Sequence, residues 1–213
     1  MSQTVVCISS QDGAGAQEAA RLVASSLGFR LIDEDIVTRA AVEAGVDEGV
    51  VADVERRKSR LLKLVEAIGT SGLGAGYGVP GAVIITQTEP ASDTLRGMIR
   101  SVIEDTAAKG NTVIASHAAS LALAEREDVL RVLVTAPAQT REQRLAESLG
   151  VDEKEAARVI KRSDAARADY IKRFYGISAE LPTHYDLVIN TEKLAPEDAA
   201  RLIVQAAGGS VKE

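Results

Sequence analysis

Five short apolar runs rich in β-branched residues punctuate this chain: Thr4 to Ile8, Phe29 to Ile32, Thr112 to Ala115, Val129 to Thr135 and Tyr185 to Asn190. Runs this short and this continuously apolar read as strands covered on both faces, the pattern of a parallel sheet between helices. The stretches between them carry helical periodicity, and helices are predicted over 16–27, 34–44, 47–68, 91–109, 118–127, 138–148, 152–175 and 196–207. Asp93 ahead of an amphipathic run and Pro196-Glu197 in a first turn are start signals. Alternating strands and helices require right-handed crossovers, so the expected fold is α/β with a doubly wound five-stranded parallel sheet. Its ligands belong beyond the carboxyl ends of the strands.

Composition agrees with that architecture. Aromatic residues make up 3% of the 213 residues, tryptophan is absent, and alanine and valine are abundant, which suits helices packed closely on a sheet. A chain of this length is read as one domain, residues 1–213, with a full core. The single cysteine, Cys7, lies inside the first apolar run and is expected to be a buried small hydrophobe in a reducing cytosol. No leader-like segment and no run of bilayer-spanning length is present, so a cytoplasmic protein without membrane contacts is expected. A net charge of −6 opposes general nucleic-acid binding. The charge is unevenly spread: between Arg158 and Arg173 six basic residues face two acidic ones. A local cationic segment on an acidic protein fits a small anion better than a polyanion.

Two segments are too long for simple crossovers. The first, Ala41 to Pro90, holds a charged helix followed by GTSGLGAGYGVPG, Gly69 to Gly81, expected to form a flexible flap or interface loop. Gly72, Gly74 and Gly76 are spaced like a dinucleotide fingerprint, but no strand leads into them and Pro80 follows, so that reading is set aside. The second, residues 151–177, is a long basic helical stretch ahead of the last strand.

The first strand runs into SSQDGAGAQEAA, Ser9 to Ala20. Laying the phosphate-loop pattern on it places Ser10 and Gly15 at the two glycines, Ala16 at the lysine and Gln17 at the hydroxyl. Gly13 and Gly15 permit positive φ, so amides from Gly13 through Ala14, Gly15 and Ala16 to Gln17 can face an anion at a helix N-terminus. The cation that follows a transferred phosphate is missing from the loop itself. A tight strand-to-helix turn without a ligand is the competing reading.

Six segments, ISSQDGAGAQEAA, LIDEDIV, GNTVIASHAA, VLRVLVTAPAQTREQRL, DAARADYIKRFYG and YDLVINTEKL, resemble in that order the cytidylate-kinase-like family of P-loop nucleoside monophosphate kinases. The resemblance covers nearly the whole chain and is poorest between Ala41 and Pro90. It implies a P-loop NTPase-like three-layer α/β/α fold with a monophosphate-binding helical insert at 41–90 and a helical lid at 151–177. It also implies ATP, with Mg²⁺ carried by the nucleotide, and transfer of phosphate to CMP, dCMP or a related monophosphate. The family's loop carries two arginines in place of a lysine; laid on this chain, those places are Ser10 and Gln17, while the following glutamate is kept as Glu18. The family's G-R-G after the third strand corresponds to Ser116-His117-Ala118.

With loop cations absent, positive charge has to come from elsewhere. Arg158, Lys161 and Arg162 share one helix face, and Asp164 lies three residues before Arg167, a spacing that lets it orient that arginine. Arg162 and Arg167 are the expected phosphate-reaching residues of the lid, with Asp164 positioning them; a solvated helix face is the alternative. Gly13, Ala14, Gly15, Ala16, Gln17 and Glu18 form the candidate cradle, and Arg141 and Arg144 sit where the family's ATP-side arginines lie. Thr191 would border an adenine or, as the alternative, cap the last helix. Asp33 and His117 are candidates for the acceptor monophosphate. No His/Cys/Asp cluster has metal-ligand spacing, so Mg²⁺ is expected on phosphate oxygens and water, with Glu18 or Ser116 as outer contacts. Two further possibilities remain beside the enzyme: a non-catalytic nucleotide-binding module, and a homodimeric scaffold built on the Gly-rich loop.

Overall fold

The computed structural model describes residues 3–33, 92–115 and 118–209. The helices predicted over 34–44 and 47–68, the insert at 41–90 with its glycine-rich loop, and Ser116 and His117 lie outside the described residues.

The strands are β1 (Val5–Ser10), β2 (Arg30–Ile32), β3 (Thr112–Ile114), β4 (Val129–Thr135) and β5 (Leu187–Asn190). All pair in parallel in the order β2-β3-β1-β4-β5, with Val5 opposite both Thr112 and Val129. The helices are α1 (Ala16–Leu27), α2 (Ser92–Ala108), α3 (Ala119–Ala122), α4 (Ala138–Leu149), α5 (Glu153–Tyr175) and α6 (Pro196–Ala206), with a 3-10 turn at Pro182–His184. The helix predicted over 118–127 shrinks to one turn, because Leu123 leaves helical geometry and the next residues form turns.

Alternation along the strands sends side chains to two separate cores. Val6, Ile8, Val113, Val132, Val134 and Ile189 face α1 and α6, where Ala19, Ala20, Val23, Ala199 and Ile203 meet them. The alanines allow these helices to lie close to the sheet. Val5, Cys7, Ile114 and Val129 face the other way, onto Ile99, Val102 and Ile103 of α2 and Ala119 and Ala122 of α3. The result is three layers. Cys7 is buried in β1 as expected, and burial pushes its thiol pKa well above the usual range.

The longest helix has chemical stops at both ends. Helix α5 starts at Asp152, whose carboxylate accepts from the Glu155 amide at 2.8 Å. It carries Glu153 and Glu155 in its first turn and Lys172 and Arg173 in its last, and it ends at left-handed Gly176, an arrangement that suits both ends of the helix dipole. Its first half packs Ala156, Val159 and Ile160 on Leu145 and Ala146 of α4. Its second half packs Tyr170 and Ile171 on Ala118. Between those two apolar ends its inward face is polar, and there it crosses the β1–α1 turn. None of the described helices is long and apolar enough to cross a membrane.

Candidate functional site

β1 is the central strand, so its carboxyl end opens at the middle of the sheet. The turn that follows is shaped by two left-handed residues, Gly13 at φ 79° and Gly15 at φ 75°. Gly13 has no room for a side chain, since a Cβ there would lie 2.7 Å from the Arg141 carbonyl oxygen. Gly15 occupies the N-cap of α1 and offers no capping side chain. The amides of Ala16, Gln17 and Glu18 therefore have no acceptor among the described residues. Unpaired amides at the head of a helix are the elements of an anion cradle. Ala14 and Ala16 are buried beneath this surface, while Gly15, Gln17 and Glu18 are exposed. Glu18 pairs with Arg21 at 3.2 Å on the outer side of α1.

Neighbouring elements hold the turn in shape. The Ser163 hydroxyl of α5 donates to the Asp12 carboxylate. Thr191, buried after β5, donates its hydroxyl to the Ala14 carbonyl at 2.8 Å, and Arg144 grips Thr191 through its hydroxyl at 3.2 Å and its carbonyl at 2.6 Å. Thr135 at the end of β4 donates to the Gln11 side chain. Thr191 is thus a brace for the turn, and Arg144 a brace for Thr191.

Arg141 is the central strut. Its side chain is only 3% exposed. Nε donates to the Ala136 carbonyl at 3.1 Å, Nη1 to the Asp12 carbonyl at 3.3 Å, and Nη1 and Nη2 form a fork on the Asp164 carboxylate at 2.9 and 2.7 Å. Asp164 is therefore committed to Arg141, which corrects the expectation that it orients Arg167. Arg167 lies on α5 itself, one turn further along, but the carboxylate is taken by the arginine that arrives from α4.

Arg167 points inward as well. Its guanidinium, 6% exposed, forms a fork on Glu180, with Nε to Oε2 at 2.8 Å. Burial alone would lower the Arg167 pKa, but the Glu180 hydrogen bond and charge overcome it and hold the group charged. The Tyr185 hydroxyl donates to the same carboxylate and also engages Ser9, and burial followed by the Glu180 charge pushes the Tyr185 pKa well up. Ser9 in turn donates to Ser120, and Ser120 to the Cys7 carbonyl at 3.3 Å. A buried polar chain thus joins α5 to β1 just below the turn. Arg167 serves here as an internal anchor rather than as a free lid cation. Arg158, Lys161 and Arg162 stay on the exposed face; Arg158 pairs with Glu155 at 3.1 Å, and Arg162 has no ion-pair partner among the described residues.

Asp33 immediately follows β2, two strands from the turn on the same edge of the sheet. His117 lies outside the described residues. No group of three or more His, Cys, Asp and Glu able to hold a metal occurs among the described residues. Sequence reasoning missed Asp12, Ser163, Glu180 and Tyr185. Asp12 lies inside the quoted loop, but it carries no feature that marks a turn carboxylate as a docking point for a helix 151 residues later.

The profile of the cytidylate kinase-like family matches residues 5–193, spanning β1 to the turn after β5. The chain belongs to this family. It is similar to a cytidylate kinase of Ignicoccus hospitalis, 30% identical over 200 residues that cover 94% of this chain and 96% of that protein. A cytidylate kinase of Staphylothermus marinus is 27% identical, covering 93% of each. Among solved structures, a shikimate kinase from Bacteroides thetaiotaomicron shares the fold at a TM-score of 0.54 and 13% identity, covering 97% of this chain and 99% of that one. Ser10, Ala16 and Gln17 leave the turn without a cation of its own. Arg141, reaching in from α4, contacts the turn at the Asp12 carbonyl.

Proposed function

We propose that this member of the cytidylate kinase-like family is a phosphotransferase that moves the γ-phosphate of ATP to CMP, dCMP or a related nucleoside monophosphate. The observation that carries the reading is the uncapped head of α1 at the end of the central strand, where the amides of Ala16, Gln17 and Glu18 have no acceptor among the described residues and stand beside left-handed Gly13 and Gly15. Such a surface accepts polyphosphate oxygens through main-chain dipoles and needs no side-chain charge to do so.

Mg²⁺ would travel with ATP, bound by phosphate oxygens and water, with exposed Glu18 as an outer contact; it would neutralise charge between the phosphates. The donor set fits that role, since the carboxylates near the turn, Asp12, Glu18 and Asp164, do not form a group able to hold a metal among the described residues. Arg162, exposed on α5 and without an ion-pair partner among the described residues, is the lid residue suited to reach the transferring group. Asp33, which follows β2 at its carboxyl end, would serve the acceptor side. Arg141 and Thr191 keep the amides in register, and Arg144 holds Thr191.

A second reading, a nucleotide-binding module without turnover, is favoured by one specific observation. Arg141 and Arg167, the two buried cations near the turn, are each occupied by a carboxylate, Asp164 and Glu180. Incubation with Mg-ATP and each common nucleoside monophosphate separates the two. ADP formation that depends on the acceptor supports the kinase; thermal stabilisation by ATP without ADP supports the module; absence of both refutes each.

A further inference from the structure

We infer that the Asp164 carboxylate is a built-in stand-in for phosphate at Arg141, so that an anion arriving at the head of α1 and the lid helix α5 compete for one guanidinium. The inference rests on the nucleotide-cradle reading above and adds a competitor to it. Asp164 contacts Arg141 through two parallel N–H···O bonds of 2.9 and 2.7 Å. Two oxygens of a phosphate present the same fork to an arginine, so carboxylate and phosphate are interchangeable partners in this geometry.

The burial pattern gives the exchange a direction. The Arg141 side chain is 3% exposed, whereas the Asp164 side chain that covers it is 34% exposed. The carboxylate is the outer member of the pair, and its departure uncovers Nη1 and Nη2. The inner contacts do not depend on it. Nε stays on the Ala136 carbonyl and Nη1 on the Asp12 carbonyl, so the guanidinium keeps its position against the turn when Asp164 leaves. The uncovered cation then stands beside the turn whose own cation places are held by Ser10, Ala16 and Gln17.

The exchange also couples the cradle to the lid. Helix α5 touches the turn through adjacent residues, Ser163 on the Asp12 carboxylate and Asp164 on Arg141. Displacing Asp164 removes the charged half of that dock and leaves a hydroxyl. Asp164 is thereby a positioning residue that lowers resting anion affinity and ties its release to movement of α5.

The test is the affinity of the full-length protein for inorganic tripolyphosphate, without acceptor or metal, measured by titration calorimetry. Asp164→Asn keeps the side-chain shape and removes the charge that occupies Arg141. It is expected to bind tripolyphosphate about fivefold more tightly than the unaltered protein, a gain limited by the partial exposure of the pair. The affinity of Asp164→Asn should also fall more steeply with added salt. Ser163→Ala loosens the same dock without freeing a cation, and its affinity should not rise above that of the unaltered protein. A merely structural role for Asp164 predicts weaker binding in Asp164→Asn. Equal or weaker binding there, or equal tightening in Ser163→Ala, overturns the inference and leaves the cradle in place. Tripolyphosphate binding to none of the three proteins overturns the cradle reading together with the inference. If Asp164→Asn is poorly folded, Asp164→Ser followed by thermal unfolding gives the same answer. Tripolyphosphate should raise its midpoint more than that of the unaltered protein, and an equal or smaller rise counts against the exchange.

Discussion

Replacing Gly13 by alanine tests whether Arg141 fixes the shape of the turn. Two costs add. An L residue at φ 79° loses about 1–2 kcal/mol, of which about 0.4–1 kcal/mol returns because alanine has less freedom than glycine in the unfolded chain. The new Cβ would also lie 2.7 Å from the Arg141 oxygen, 2.9 Å from its Cβ and 3.0 Å from its Cα. Those atoms cannot step aside cheaply, because the Arg141 side chain is tied to Ala136, Asp12 and Asp164, and overpacking of this kind costs about 1–3 kcal/mol. The sum is about 1.5–4.5 kcal/mol, or a fall of roughly 3–18 °C in Tm for a chain of this size. Gly15→Ala is the matched control. Its φ is 75° but nothing lies within 4 Å of the added Cβ, so only the torsional part applies, about 0.5–1.5 kcal/mol net. Urea unfolding followed by circular dichroism measures both. Equal losses in the two variants would refute the argument, because the whole difference between them is the contact with Arg141.

Three other outcomes follow from the same geometry. Glu180→Gln leaves the buried Arg167 cation without its counter-charge and should destabilise the protein by about 3–5 kcal/mol in urea unfolding, more than Glu155→Gln at the exposed pair with Arg158. The Arg126 guanidinium and the Thr4 hydroxyl hold the Asp128 carboxyl at about 2, below its ordinary value. A depressed folded pKa adds stability above the unfolded pKa of about 3.9, and that part is lost as pH falls toward about 2. Asp128→Asn should accordingly flatten the urea midpoint against pH in that window, although the exposure of the pair keeps the effect small. Cys7 is fully buried with its thiol pKa raised, so a thiol reagent should label it only at the rate at which the fold opens; rapid labelling without denaturant would contradict that burial.

Much of the architecture was legible because it rests on local pattern. The run Val129 to Thr135 is the strand as read, and α1 and α4 start where their periodicity starts. Gly13 and Gly15 announced a left-handed turn, and the basic stretch before the last strand announced one long helix. Strand ends shifted where pairing ran out: Tyr185 and Asp186 precede β5 because Tyr185 turns its phenol toward Glu180 and Asp186 turns its carboxylate to Arg131. The candidate site was legible as a set of elements and less so as a set of contacts. Thr191, read as a residue near an adenine or as a helix cap, is a brace for the Ala14 carbonyl, and no spacing rule links positions 177 residues apart.

Among the described residues, the sequence by itself settled where the five strands and the long helices fall, where the glycine turn lies and that this turn lacks a cation, because these depend on side-chain periodicity and backbone freedom within a few residues. Tertiary structure alone decided the partners of the charges. On the inward face of α5, Asp164 and Arg167 are three residues apart and suited to each other, yet Asp164 takes Arg141 from 23 residues away and Arg167 takes Glu180 from 13 away. A carboxylate at a buried crossing pairs with whichever cation the packing of helix on sheet delivers in fork geometry, and that delivery is fixed only once the layers have closed.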